Sequence, residues 1–354
     1  MRALTFHGPE DIRHETVADP RLESLTDVIV RVTQAAICGS DLHVYFGRER
    51  GLDPGTVMGH EFLGEVIEVG SGVRGLSVGD RVVSPFTTNC GTCFYCLQGL
   101  TCRCEQGQLF GWVQSSNGLH GAQAEFVRVP LADSSLVKLP DGISESEALF
   151  AGDILATGMF AADLAEIQID STVVVVGCGP VGLMAAIAAQ EKNPVRVYAV
   201  DSISERLQLA QGLGATPLSL SSNGSADLVI QTILDVTNGR GADAVLEVVG
   251  SPAALRLAYD LIRPGGVIAS VGVHTETHLE FSPLEAYDKN LTYRTGRCPA
   301  RKYMEDILQL VQAERYDLAS IVSHRLPLSQ GPEGYRIFAH KLDRCTKVVL
   351  TPEG

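Results

Sequence analysis

Six residues with the chemistry of a metal site and a proton relay fall within one stretch of 24: Cys38, Ser40, Asp41, His43, His60 and Glu61. A thiol, an imidazole and carboxylates gathered so closely can hold a zinc ion. Cys38 would bind as thiolate and His60 as neutral imidazole. Ser40 and His43 carry exchangeable protons of the kind an acid–base relay needs. Taken singly, Cys38 and His60 also read as a buried thiol and a satisfied core imidazole, because cysteines are commonly buried. Two further motifs weigh against that blander reading.

The first is Cys90, Cys93, Cys96 and Cys104, spaced C-x2-C-x2-C-x7-C. Four thiolates in so short a run are a strong signal for a closed, structural zinc site. Gly91 and Gly99 let the loop wrap tightly enough to aim the sulfurs inward. Cys102 is a fifth thiol in the loop, and the spacing favours Cys104 over it.

The second is a strand–turn–helix. Thr172 to Val176 is a β-branched strand that runs into Gly177-Cys178-Gly179-Pro180-Val181-Gly182, then a helix through Gln190. A second strand, Val195 to Val200, ends in Asp201. A G-x-G-x-x-G turn between strand and helix, followed by a strand ending in an acid, is the dinucleotide fingerprint in its full context. The glycines let the backbone approach a pyrophosphate, and the helix N-terminus favours its charge. Asp201 would accept hydrogen bonds from the adenosine ribose.

The elements that must position these groups alternate in character. The chain has 354 residues, enough for two domains, with 45% hydrophobic and 20% charged residues. Its formal charge of −14 argues against a nucleic-acid partner. The opening residues have no apolar core of the secretory kind. Ser171 to Gln190 lacks charges but is broken by Gly177-Cys178-Gly179-Pro180, so no membrane span is expected. Nine cysteines without a leader point to metal ligation in a cytoplasmic protein. Short strands dominate up to about residue 130: Val28 to Val32, Gly64 to Gly70, Gly79 to Val83, Gly121 to Pro130. From Ser144 the pattern turns helical, with Ser144-Glu145-Ser146-Glu147 expected to cap an apolar run through Leu155. Asp153 lies in that run, where a solvated or capping role is the plain alternative to a functional one. After Asp201 the alternation reads as βαβ units: a helix over 226–237, a strand over 244–249, a helix over 252–262, a Gly265-Gly266 turn, and a strand over 267–273. An amphipathic helix over 301–312 and a final strand at 347–350 follow.

Together these motifs resemble the zinc-dependent alcohol dehydrogenases of the medium-chain dehydrogenase/reductase superfamily, over nearly the whole chain. The most specific part is Gly59-His60-Glu61-x-x-Gly64, with Gly70 and Val73 at the expected offsets. The resemblance implies an α/β protein. A GroES-like β-rich catalytic domain (1–153 and 298–354) would be interrupted by a Rossmann NAD-binding domain (154–297), with zinc in the cleft. It implies Cys38 and His60 as catalytic zinc ligands, Asp153 at a further ligand position, and Glu61 as a neighbouring carboxylate able to exchange in. Asp41 resembles the acid that orients the ligand histidine, and Ser40 with His43 resembles the proton relay. Gly177, Gly179, Pro180, Val181, Gly182 and Asp201 match cofactor positions. Arg206 would lie near the ribose edge, Gly272 and Val273 beside the nicotinamide, and Lys347 against the pyrophosphate. Asp153 stands where many members have cysteine, and Gly39 where some have a basic residue. The segments Gly121 to Val127 and Gly152 to Gly158 resemble the glutathione-independent formaldehyde dehydrogenase branch.

The expectation is therefore a cytoplasmic, NAD-dependent dehydrogenase with two zincs per chain, acting on an alcohol or aldehyde and assembling as a dimer or tetramer. Zinc would stabilise the alkoxide, Ser40 would pass the hydroxyl proton through the cofactor ribose to His43, and hydride would move to the nicotinamide. Phe86, Phe110 and Trp112 are candidate pocket walls. Two rivals remain: a zinc-free reductase of the same superfamily, and a non-catalytic nucleotide-binding protein that keeps only the four-cysteine zinc.

Overall fold

The Thr172–Val176 strand lies at the middle of a six-stranded parallel sheet. Its Val173, Val174, Val175 and Val176 are all buried, as a strand covered on both faces must be. In the computed structural model, residues 1–220 and 226–352 are described. The sheet runs Thr216–Ser219, Arg196–Asp201, Thr172–Val176, Ala242–Glu247, Ile262–Ser270, Thr292–Thr295, with every neighbouring pair parallel. Chain order reverses at Thr172–Val176, which pairs with Arg196–Asp201 on one side and Ala242–Glu247 on the other. Ligands of such sheets bind outside the carboxyl ends of the strands at this reversal. The sheet belongs to one unit of the chain, Thr157–Cys298.

The other unit is Met1–Ala156 with Pro299–Gly354. Its main sheet has the order Val137–Lys138, Arg81–Val83, Glu61–Val69, Val28–Ile37, Val348–Thr351, His324–Pro327, and Phe126–Val129 also pairs with Val28–Ile37. Register does the positioning here. Ala36 faces Glu61 across one antiparallel pair and Ile37 faces Val348 across the next. Three adjacent strands thus deliver Cys38, His60 with Glu61, and Lys347 to one level of the sheet.

Some elements depart from their sequence pattern. The helix expected from Ser144 through Leu155 is three pieces: Glu145–Ala148, a 3-10 turn Leu149–Gly152, and Ile154–Leu164. The break is at Asp153, with φ −149° and ψ −79°. Gly152 explains it: a Cβ there would stand 2.1 Å from the Ser84 carbonyl oxygen, so the chain packs against that backbone instead of continuing the turn. The Ser144 hydroxyl makes no cap bond and lies 3.3 Å from Ser146 Oγ. The strands Thr216–Ser219, Thr292–Thr295 and His324–Pro327 carry little β-branched alternation and were not legible. Among the described residues, no helix is long and apolar enough to cross a membrane.

Candidate active site

One ligand atom each from Cys38, His60, Glu61 and Asp153 lies within 4.8 Å of the others, and all four residues are buried. Cys38 Sγ is 3.2 Å from Asp153 Oδ2, and His60 Nε2 is 3.3 Å from the same oxygen. Donors about 2.0–2.3 Å from a tetrahedral ion stand roughly 3.3–3.7 Å apart, so these separations suit a single zinc. His60 Nδ1 faces Asp41 Oδ1 at 3.2 Å. Asp41 can only accept there, so a neutral His60 carries its proton on Nδ1, and Nε2 is the nitrogen a metal would take. Asp41 is itself fixed: its Oδ2 accepts from the Cys38 amide at 2.9 Å and from Gln123 Nε2 at 3.4 Å. Gln123 in turn accepts from the buried Tyr335 hydroxyl at 2.8 Å. Gln123 and Tyr335 are supporting residues that no spacing signal marked.

Electrostatics favour a cation at this point. Burial pushes the Cys38 thiol up to about 12, and Asp153 and Glu61 add to it. Burial would push His60 down, but Asp41 and Cys38 outweigh it and hold the imidazole well above its usual range. Glu61 Oε2 is buried without a hydrogen-bond partner. Cys38, Asp41, Glu61 and Asp153 bring four negative charges when ionised against one positive on Lys347, an excess that a divalent cation offsets in large part. The residues present fit zinc.

Ser40 Oγ lies 3.2 Å from His60 Nε2, at the edge of the cluster. It is the N-cap of the short helix Asp41–Tyr45, and His43 follows three residues on, half-buried. Lys347 differs from expectation. Its ammonium is fully buried and donates to Glu61 Oε1 at 2.6 Å, so the structure gives it a carboxylate partner inside the metal cluster where a pyrophosphate partner was expected. Phe86 packs edge-on against His60, with ring centroids 6.4 Å apart. Phe110 is a core residue packed on Phe62, and Trp112 packs against another hydrophobic cluster, so neither is placed as a pocket wall.

Cys90, Cys93, Cys96 and Cys104 form a second group of converging sulfurs, and Cys102 is not part of it. The amides of Thr92 and Cys93 donate to Cys90 Sγ at 3.5 and 3.3 Å, and those of Cys90 and Gln106 to Cys104 Sγ at 3.1 and 3.4 Å. Burial opposes ionisation of Cys90, but the Thr92 and Cys93 donors draw its thiol down to about 6. Gly91 and Gly99 have φ of +72° and +74°, the left-handed turns that fold the loop around the sulfurs. This donor set also fits zinc.

In the parallel-sheet unit, the glycines of the turn divide their work. A Cβ on Gly182 would meet the Gly177 carbonyl oxygen at 1.8 Å, so this glycine lets helix and strand pack. A Cβ on Gly179 would meet nothing closer than Arg206 Nη1 at 3.8 Å. That open space above the helix Pro180–Gln190 is a cradle a side chain would fill and a phosphate can enter. Asp201 ends its strand with Oδ2 accepting from the Cys178 amide at 2.7 Å and Oδ1 from the Ile203 amide at 2.9 Å. The turn and the acid are thus held together, and the residues fit a dinucleotide.

Residues 24–141 match the family model described as alcohol dehydrogenase GroES-like domain, and residues 180–313 that described as zinc-binding dehydrogenase. The chain is 46% identical to zinc-type alcohol dehydrogenase B of Aspergillus flavus over 347 residues, 96% of this chain and 78% of that protein. It belongs to the zinc-dependent alcohol dehydrogenases of the medium-chain dehydrogenase/reductase superfamily. The solved alcohol dehydrogenase TADH from Thermus sp. ATN1 superposes with a TM-score of 0.92 at 40% identity, covering 100% of both chains. A zinc-type alcohol dehydrogenase-like protein of Bacillus subtilis is 35% identical over 99% of this chain and 100% of its own. The dehydrogenase is thus a zinc-dependent oxidoreductase with a nicotinamide cofactor, built from a GroES-like unit and a Rossmann unit.

Proposed function

We propose that this dehydrogenase oxidises a small alcohol, or reduces the matching aldehyde, with NAD, and that it holds one zinc in each of its two clusters. The observation that carries the reading is the convergence of Cys38, His60 and Asp153 at 3.2–3.3 Å with Ser40 Oγ beside them. When bound, zinc supplies Lewis acidity toward a substrate oxygen and the nicotinamide supplies the hydride acceptor.

The chain's own residues do the rest. Cys38, His60 and Asp153 would hold the catalytic ion, with Glu61 kept on Lys347 as a neighbour. Asp41 keeps the His60 proton on Nδ1. Ser40 Oγ would receive the substrate's hydroxyl proton, and His43, three residues on, would stand at the far end of the relay, beyond the cofactor ribose. Cys90, Cys93, Cys96 and Cys104 would hold the structural ion. Gly177, Gly179, Pro180, Val181 and Gly182 receive the pyrophosphate. The Asp201 carboxylate would accept from a free ribose 2′-hydroxyl and repel a 2′-phosphate, which favours NAD over NADP; Arg206 is a cation close enough to soften that preference.

Assembly into a dimer or tetramer belongs to the same proposal. Phe94 and Leu97 on the cysteine loop, and Leu284 and Tyr287 on the other unit, are largely exposed apolar side chains that association would cover. A cytoplasmic setting does too, since zinc-binding thiols must stay reduced.

The test is metal content together with a panel of alcohols and aldehydes, each assayed with NAD(H) and NADP(H). Two zincs per chain and a clear kcat/KM advantage for NAD are expected. One zinc per chain without turnover would support a non-catalytic role, activity without zinc the reductase reading, and equal use of both cofactors would remove the role given to Asp201.

A further inference from the structure

Glu247 closes the Ala242–Glu247 strand, the first strand beyond the reversal point, and its side chain has no exposed surface. Its carboxylate accepts four hydrogen bonds. Oε1 takes the amides of Val249 and Gly250, both at 2.8 Å. Oε2 takes the Ser270 hydroxyl at 2.7 Å and faces His274 Nε2 at 3.0 Å. His274 Nε2 also lies 3.1 Å from Ser270 Oγ. Ser270 has given its one hydrogen to Glu247, so both oxygens facing Nε2 accept, and the His274 proton sits on Nε2.

These bonds join two loops that follow adjacent strands. Val249 and Gly250 follow Ala242–Glu247, and His274 follows Ile262–Ser270. The loops also touch through glycine. A Cβ on Gly272 would stand 2.1 Å from the Gly250 amide nitrogen, and one on Gly250, whose φ is +75°, would stand 2.4 Å from the Val273 carbonyl oxygen. Backbone meets backbone, and one buried carboxylate and one imidazole lock the contact.

A dinucleotide lies across the carboxyl ends of such a sheet. With the pyrophosphate at Gly177 to Gly182 and the adenosine at Asp201, its other half crosses to the strands on the far side of the reversal, where these loops stand. We propose that Glu247 and His274 are positioning residues for the nicotinamide end of the cofactor: through Ser270 and the loop amides they hold residues 249–250 and 272–274 as one rigid wall. The inference rests on the nicotinamide-cofactor reading given above. Neither residue is a candidate metal ligand or part of the proton relay.

The experiment compares two ligands on the zinc-loaded full chain. NADH spans both halves of the site, and ADP-ribose lacks the nicotinamide. His274→Ala is the main variant because His274 is partly exposed and its removal leaves the core intact; Glu247→Gln is the second. NADH binding, followed by its fluorescence, should weaken about tenfold in both, the loss that imperfect pre-organisation of one contact region gives. ADP-ribose binding, followed by calorimetry, should stay within about twofold. His274→Gln, which can still donate to Glu247, should recover part of the NADH affinity. Equal weakening of both ligands would show a general loosening of the unit and overturn the proposal, as would unchanged NADH affinity in His274→Ala. A parent protein that binds neither NADH nor ADP-ribose would remove the cofactor reading itself.

Discussion

Lys347 Nζ donates to Glu61 Oε1 at 2.6 Å, and neither side chain has any exposed surface. The pair forms because Val348 faces Ile37 and Glu61 faces Ala36 across neighbouring strands. Burial alone would drive the ammonium toward neutrality, but Glu61, Cys38 and Asp153 outweigh it and hold the Lys347 pKa above its ordinary value. Lys347→Met would leave Glu61 buried and uncompensated, which costs about 3–5 kcal/mol. A fall of several degrees in the thermal midpoint of the metal-free protein is expected. Adding Glu61→Gln should restore part of it, because removing both charges of a buried pair costs far less than removing one. A Lys347→Met protein as stable as its parent would show that the two groups are not coupled.

The four-cysteine loop is a second group of candidate ligands, so a metal held there could be removed separately. Cys93→Ser should release one zinc per chain and leave the other. Closed zinc sites contribute folding free energy directly, so residues 88–105 should lose protection from hydrogen exchange and the protein should melt earlier. Retention of both zincs at an unchanged melting temperature would remove Cys93 from the ligand set.

The contrast between the two clusters shows what a sequence can carry. Cys90, Cys93, Cys96 and Cys104 are local: their spacing alone aims four sulfurs inward, and Gly91 and Gly99 supply the turns. The glycine turn and Asp201 were legible for the same reason, since one βαβ unit contains them all. Cys38 and His60 were legible as a pair, but the partner of Lys347 was not. That contact spans 286 residues and depends on a strand register that no local pattern encodes. Resemblance instead suggested a cofactor phosphate. Asp153 looked like one position of a continuous helix, and only the close approach of Gly152 to the Ser84 carbonyl turns it out of the helix and toward Cys38. Glu247 and His274 gave no signal at all, because an acid and an imidazole 27 residues apart meet only where two strands end side by side.

Ser40 is placed to test the relay without disturbing the metal. Its hydroxyl is 3.2 Å from His60 Nε2, but the cluster is complete without it. Ser40→Ala should keep zinc and NADH binding and slow alcohol oxidation by on the order of 10²-fold, as loss of a proton-transfer group does. His43→Ala should cost less, because His43 is half-buried and water can stand in at that end of the relay. The comparison is made under single-turnover conditions, where hydride transfer is observed directly. An unchanged Ser40→Ala rate would rule the relay out.

Asp153 and Glu61 are the two candidates for the third place on the proposed catalytic ion, and their surroundings differ. One oxygen of Asp153 faces both Cys38 Sγ and His60 Nε2, at 3.2 and 3.3 Å. Its carboxyl is held below the ordinary carboxylate range because His60, and more weakly Lys347, outweigh its burial. Glu61 has one oxygen committed to Lys347 and the other buried without a partner. A catalytic zinc takes about three protein ligands and keeps one position open. Asp153→Ala should therefore lose the catalytic zinc, while Asp153→Cys, which restores a negative donor, should keep it with part of the activity. Glu61→Gln should retain zinc, because Cys38, His60 and Asp153 remain. Zinc content by elemental analysis, read beside turnover, separates the cases. If Asp153→Ala keeps two zincs and full turnover while Glu61→Gln loses one, the ligands are Cys38, His60 and Glu61, and the Lys347 pair must open when the ion enters.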